Sequence, residues 1–256
     1  MALSGKIAVV TGAAMGIGKA ITEILLQNGA TVALLDVNEP AAKALMDELQ
    51  NKNEKDRALF LKCDVESEEQ IQAAFQKTIE TFGRVDILCN NAGIVDETNW
   101  KKTISINLEA VISGTYLALE HMNKMTGGQG GVIVNTASMT GVYPVQGCPV
   151  YTATKHGVVG FTRAMAINST ASGYGIRLNA ICPGPVKTEL LNNSSLKLGQ
   201  FSPLQQSANQ ILEVMGILSA SDVAEAVLEL VTDETKNGEA LVILGKGKHF
   251  VAFPSM

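Results

Sequence analysis

Seven short runs rich in β-branched and apolar residues, at 6–11, 31–36, 58–63, 85–89, 131–137, 176–182 and 240–244, are separated by longer amphipathic stretches along the 256 residues. That alternation constrains the fold more than any other feature. A strand that feeds a helix and then another strand is the crossover unit of a parallel sheet, whose strands are covered on both faces and so read as continuous apolar runs. The expectation is an α/β architecture of the Rossmann type: a doubly wound sheet of seven parallel strands with helices on both faces. No Pro/Ser-rich linker, charge block or low-complexity segment interrupts it, so residues 1–256 read as a single domain.

Two features depart from the regular pattern. Residues 100–125 and 149–172 read as long helices, and Gly157 and Gly160 in the second would let a neighbouring element, of the same subunit or of another, approach closely. Residues 185–218 break the alternation. Their Leu190, Leu191, Leu196, Leu198, Phe201, Leu204, Ile211, Leu212 and Met215 carry more apolar surface than a solvated loop needs, which makes the segment a lid over a site.

A net charge of −5 with no basic cluster argues against a nucleic-acid partner. The apolar run at 7–10 is too short for a signal-peptide core and no stretch reaches membrane-spanning length, so a cytoplasmic protein is expected. Cys63, Cys89, Cys148 and Cys182 show no CxxC spacing, and Cys63, Cys89 and Cys182 lie in or at the ends of strand-like runs, as reduced core residues do. His121, His156 and His249 lack the spacing of metal ligands, so no metal site is expected.

The first strand ends in Thr11-Gly12-Ala13-Ala14-Met15-Gly16-Ile17-Gly18 and a helix follows. Glycines there let the backbone approach a pyrophosphate at a helix N-terminus. The spacing is GxxxGxG rather than GxGxxG, and a plain tight turn would also use glycines. The second strand ends at Asp36, whose carboxylate would accept from both adenosine ribose hydroxyls and repel a 2′-phosphate, favouring NAD over NADP. Asp64-Val65 and Asn91-Ala92-Gly93 close the third and fourth strands, where adenine and ribose should lie. Tyr151 and Lys155 are four apart and share a helix face, so an ammonium can stand beside a phenol and favour its ionised form. Such a phenol can take a proton from an alcohol.

These motifs together resemble the short-chain dehydrogenase/reductase family along the whole chain: Thr11-Gly12-x3-Gly16-x-Gly18, Asn90-Asn91-Ala92-Gly93, Asn107, Ser138, Tyr151-x3-Lys155 and Pro183-Gly184 stand in the family's order. The resemblance implies a cofactor half at about 1–130 and a catalytic and substrate half at about 131–256. It also implies that Ser138 holds the substrate oxygen, that Tyr151 acts as base and that Lys155 tunes it while reaching the nicotinamide ribose. Asn107 would continue a proton relay, Pro183, Val186 and Thr188 would grip the nicotinamide, and the chain would form a homodimer. Within the family, Asn99-Trp100-x-Lys102-Thr103, Lys155-His156-Gly157 and Arg177-Leu178-Asn179-Ala180-Ile181-Cys182-Pro183-Gly184 are most similar to the NAD-dependent 15-hydroxyprostaglandin dehydrogenases. That subfamily carries glutamine, phenylalanine and tyrosine where this chain has Cys148, Pro185 and Met215, three positions of the expected substrate wall. The implied reaction is NAD-dependent oxidation of the 15-hydroxyl of a prostaglandin or related hydroxy fatty acid. A steroid, retinoid or simple secondary-alcohol dehydrogenase, or a non-catalytic NAD-binding sensor, would use the same scaffold.

Overall fold

A computed structural model describes residues 1–52, 54–191, 196–206, 210 and 214–254. The strands are β1 (Ile7–Thr11), β2 (Thr31–Asp36), β3 (Ala58–Lys62), β4 (Ile87–Asn90), β5 (Gly131–Thr136), β6 (Ile176–Pro183), β7 (Ala240–Leu244) and β8 (Gly247–Phe250). They form one sheet of order β3-β2-β1-β4-β5-β6-β7-β8. Neighbours from β3 to β7 run parallel, whereas β8 returns antiparallel to β7. The sheet therefore has eight strands, not the expected seven, and one is not parallel. The extra strand follows a tight reversal between Leu244 and Gly247, and its Gly247, Lys248 and His249 face solvent at the sheet edge. An exposed edge carries no apolar pattern to read.

Helices α1 (Gly16–Gln27), α2 (Glu39–Asn51) and the last helix, Ala220–Thr232, cover one face; α3 (Glu68–Phe82) covers the other with two long helical segments. Alternate strand residues point to opposite sides. Ala8, Val10, Val32 and Leu34 meet Ile21, Leu25 and Leu49 on the first face, while Val9, Ala33, Leu35 and Ile133 meet Ile71, Phe75 and Met165 on the second. Each such Leu, Ile or Phe contributes roughly 1.5–3 kcal/mol when fully buried. Cys63, Cys89 and Cys182 are buried and unpaired, and burial pushes their thiols up to about 11, 12 and 12. Among the described residues no helix is long and apolar enough to cross a membrane.

The expected helix at 100–125 is divided: α4 (Trp100–Ile104) passes through a π-helical turn at Ser105–Glu109 into α5 (Ala110–Met122). The wide turn lies where the Asn107 side chain leaves the helix to bond the backbone of Ile94 in both directions. Helix α6 (Pro149–Ala171) is continuous, and α7 is Ala220–Thr232. Gly157 packs against Leu108 of the same chain, while a side chain added at Gly160 would meet nothing within 4 Å.

Strand β1 has β2 on one side and β4 on the other. The chain's direction of winding reverses there, which opens a crevice beyond the carboxyl ends of the strands.

Candidate active site

A cleft of about 500 Å³ occupies that crevice. Its nucleotide end begins at the glycine turn. Gly12 and Gly16 have φ of 62° and 53°, the left-handed region that glycine adopts without strain. A Cβ on Gly12 would stand 2.9 Å from the Cα of Ala92, and one on Gly18 would stand 1.9 Å from the carbonyl oxygen of Gly12. Gly18 thus lets α1 fold tightly against the turn, and Gly12 and Gly16 form a cradle that side chains would fill. Met15, at the N-cap of α1, provides no side-chain cap, so the first N–H groups of the helix remain available to an anion.

Beside the cradle, each Asp36 oxygen accepts one main-chain hydrogen bond, Oδ2 from Ala14 at 2.9 Å and Oδ1 from Asn38 at 2.9 Å. Each oxygen retains a lone pair toward the cleft. Two ribose hydroxyls fit this acceptor pair, while a phosphate would confront a carboxylate. Asp64 and Val65 line the next part of the wall. Asn91 and Ala92 are held by Thr11, whose Oγ1 accepts their N–H groups at 2.9 and 3.1 Å, while the Asn91 amide donates to the Thr11 carbonyl at 3.1 Å. The residues present therefore fit a dinucleotide with a free 2′-hydroxyl.

The reacting end lies where β5 and α6 meet. Ser138 follows β5, and its Oγ accepts from the N–H of Thr140 at 3.1 Å. Tyr151 and Lys155 rise one turn apart from α6, with the Lys155 Nζ 5.6 Å from the phenol ring centroid. Nζ donates to the Thr136 carbonyl at 2.8 Å. Spacing alone leads one to expect a phenol eased toward phenolate. In the protein by itself burial outweighs that effect: it pushes the Tyr151 phenol up to about 12, with Ser138 pulling the other way, and it brings the Lys155 ammonium down to about 8. Asn107 sits behind them, fully buried; its Oδ1 accepts from Ile94 at 2.9 Å, and its Nδ2 donates to the Ile94 carbonyl at 2.9 Å and to Thr154 Oγ1 at 3.4 Å. Gly93 keeps the space between Asn107 and Lys155 open.

Pro183, Pro185, Val186 and Thr188 form the roof that leads into the lid. Lys187 N–H donates to the Leu218 carbonyl at 2.9 Å and Leu218 N–H to that of Pro185 at 2.8 Å, so the two ends of the lid are strapped together. Leu190, Leu191, Leu196 and Leu198 line the cleft with Ile94, Val95, Val145 and Cys148. Burial raises the Cys148 thiol. Met215 does not line the cleft; its main chain lies against Gly245, beyond the end of β7. Ile211 and Leu212 fall outside the described residues. Val95, Thr140 and Val145 had no signal of their own in the sequence beyond standing a few residues past recognised motifs.

The sequence profile of the family described as "short chain dehydrogenase" matches residues 6–199. The 15-hydroxyprostaglandin dehydrogenase [NAD(+)] of Macaca fascicularis is 45% identical over 253 residues, covering 98% of this chain and 95% of that protein. The 3beta-hydroxysteroid dehydrogenase 2 of Eggerthella lenta is 39% identical over 197 residues, covering 73% of this chain and 74% of the other. The crystal structure of levodione reductase superposes with a TM-score of 0.83 at 32% identity, covering 95% of this chain and 97% of that one.

Proposed function

Because this chain belongs to the short-chain dehydrogenase family and is an NAD-dependent oxidoreductase, we propose that it oxidises the 15-hydroxyl of prostaglandins, or of a related hydroxy fatty acid, to the ketone. The observation that carries this reading is that Ser138, Tyr151 and Lys155 line one cleft together with Leu190, Leu191, Leu196 and Leu198. An amphipathic lipid alcohol suits that wall, whereas a sugar would leave its hydroxyls without partners. Among the described lining residues Lys155 is the one cation, and it stands at the reacting end, so a substrate carboxylate would lie toward solvent. Lys197 pairs with Asp96 and Lys248 with Glu229, away from the cleft.

Gly12, Met15, Gly16, Ile17 and the first turn of α1 would hold the pyrophosphate, with Gly18 shaping the turn. Asp36 would hold the adenosine ribose, Asp64 and Val65 the adenine, and Asn91 to Gly93 the second ribose. Pro183, Val186 and Thr188 would set the nicotinamide ring. Bound NAD supplies the hydride acceptor and a positive ring. In this setting Ser138 holds the substrate oxygen and Tyr151 removes its proton. Lowering the phenol from about 12 toward neutrality draws on favourable interaction with nearby positive charge, at about 1.4 kcal/mol for each pH unit. Lys155, titrating near neutrality at about 8, passes the proton on. Both Nδ2 hydrogens of Asn107 are given to Ile94 and Thr154, so a relay there would run through an acceptor, the remaining lone pair of Oδ1 or the main-chain carbonyl in the π-helical turn.

Cys148 and Pro185, which replace the subfamily's glutamine and phenylalanine, favour a second reading, a steroid or other secondary-alcohol dehydrogenase with the same mechanism. Exposed Tyr116 on α5 and Ile167 and Gly160 on α6 support a homodimer through these helices. The deciding measurement is NADH absorbance with NAD and prostaglandin E2, a secondary-alcohol steroid and a short secondary alcohol in parallel. Turnover of the prostaglandin alone supports the first reading, and activity confined to another alcohol discards the substrate while keeping the mechanism. Tyr151→Phe should bind NAD normally and lose turnover; substantial residual oxidation would remove Tyr151 from its role.

A further inference from the structure

Helix α6 carries Tyr151 and Lys155, yet the side chain of Cys148 at its N-cap accepts from none of the helix's first-turn N–H groups. The first-turn N–H groups must be satisfied from elsewhere. Glu97 does so from a distance of 53 residues along the chain: its carboxylate accepts from the N–H of Val150 at 3.1 Å and of Tyr151 at 2.9 Å. A carboxylate there also complements the helix dipole.

The loop that carries Glu97 is held on both sides. Asn107 bonds Ile94, Asp96 accepts from the N–H groups of Thr98 and Asn99 at 3.0 Å each, and Thr103 Oγ1 donates to the Asp96 carbonyl at 2.7 Å. Its outer edge pairs with the lid. Glu97 N–H donates to the Lys197 carbonyl at 2.7 Å, Lys197 N–H donates to that of Val95 at 3.4 Å, and the Lys197 ammonium stands 3.2 Å from Asp96 Oδ2. Val95, Leu196 and Leu198 from these paired segments line the cleft. One small two-stranded patch thus touches the substrate compartment and, through Glu97, the main chain of Tyr151.

We propose that Glu97 is a positioning residue for the reaction, fixing Tyr151 through the first turn of α6 and coupling it to the seating of the lid at 196–198. This rests on Tyr151 being the base. Substrates long enough to reach Val95 and Leu198 act on the same patch that holds the base, whereas a short alcohol does not. A misplaced phenol lowers the chemical rate without touching the glycine cradle where the cofactor is held, so kcat and the KM for NAD should separate.

The test is steady-state kinetics with NAD, on the best alcohol of the substrate panel and on a truncated analogue of it that keeps the reacting secondary alcohol but is too short to reach Val95 and Leu198. Glu97→Ala should lower kcat about tenfold or more on both, with the KM for NAD within about twofold of wild type. Glu97→Gln keeps the length and one acceptor oxygen, so its kcat should fall between the two; it is also the variant that carries the comparison if the alanine protein does not fold. Lys197→Ala should lower kcat on the long substrate alone, and should add nothing in the Glu97→Ala background. By hydrogen exchange, the amides of Val150 and Tyr151 should lose protection in Glu97→Ala while the middle of α6 keeps its own. A kcat unchanged in either Glu97 variant, an alanine loss that glutamine does not relieve, or fully additive effects of Glu97 and Lys197 would overturn the proposal. A wild-type protein that oxidises no alcohol would instead overturn the dehydrogenase reading beneath it.

Discussion

An ammonium sealed inside a protein lowers stability unless nearby groups compensate, and the one hydrogen bond of Lys155 among the described residues goes to the Thr136 carbonyl. Its folded value of about 8 lies below the 10.5 of a free lysine, chiefly through burial. Below pH 8 the residue is charged in both the folded and unfolded chain, so the penalty is fully present, at about 3 kcal/mol. Between 8 and 10.5 the unfolded chain binds the extra proton, so the penalty fades as pH rises. Lys155→Met, without NAD, should therefore melt higher than wild type at pH 7, with the gap narrowing by pH 9. Comparing the two proteins cancels the opposite effect of the buried Cys63 and Cys89 thiols, whose raised values begin to reduce stability above pH 9. A gap that stays constant with pH would show that Lys155 does not carry a buried charge. The same lowered value would serve the proposed reaction, because a lysine poised near neutrality can both give and accept a proton.

At the level of the element, the turn between β1 and α1 is the most demanding piece of backbone in the cleft. Gly18→Ala would drive a methyl to within 1.9 Å of the Gly12 carbonyl oxygen, which the turn can relieve only by opening. We expect a loss of about 1–3 kcal/mol in stability and a fall of at least about tenfold in NAD affinity, measured by thermal melting and calorimetric titration. Unaltered NAD affinity would mean that the turn does not shape the pyrophosphate site. This turn was legible in the sequence because glycine spacing is a local mark, as were the buried parallel strands, whose apolar runs record burial on both faces. Strand β8 was not, since an exposed edge strand needs no apolar alternation. Nor was the break in the 100–125 helix, because a π-turn is a small widening that needs neither proline nor glycine. Tyr151 and Lys155 could be paired from their spacing, and the cleft brings Ser138 to the same wall, but Glu97 could not be singled out: its partners are 53 and 54 residues away, and a lone glutamate in a loop looks like any solvated one. The lowered pKa that spacing led one to expect of Tyr151 is not present in the protein by itself, since burial, a property of the assembled fold, pushes it up.

For the whole molecule, the cleft is assembled from the carboxyl ends of β1, β2, β3, β4, β5 and β6 together with the lid, so a ligand that fills it touches both halves of the chain. Binding to the folded state alone must then stabilise the protein as one unit. At a concentration one hundred times its Kd, NAD should add about 2.7 kcal/mol, which for a chain of this size raises Tm by about 5–10 °C. NADP at the same concentration should raise it much less, because its 2′-phosphate would face the Asp36 carboxylate, whose oxygens already accept from Ala14 and Asn38. Asp36→Arg should reverse that order by replacing repulsion with a cation. Melting should also remain a single transition with and without NAD if residues 1–256 form one cooperative domain. Two transitions, only one of them moved by NAD, would divide the chain into independent units. Equal shifts with the two cofactors would show that Asp36 does not read the ribose, whatever the glycine cradle does with the pyrophosphate.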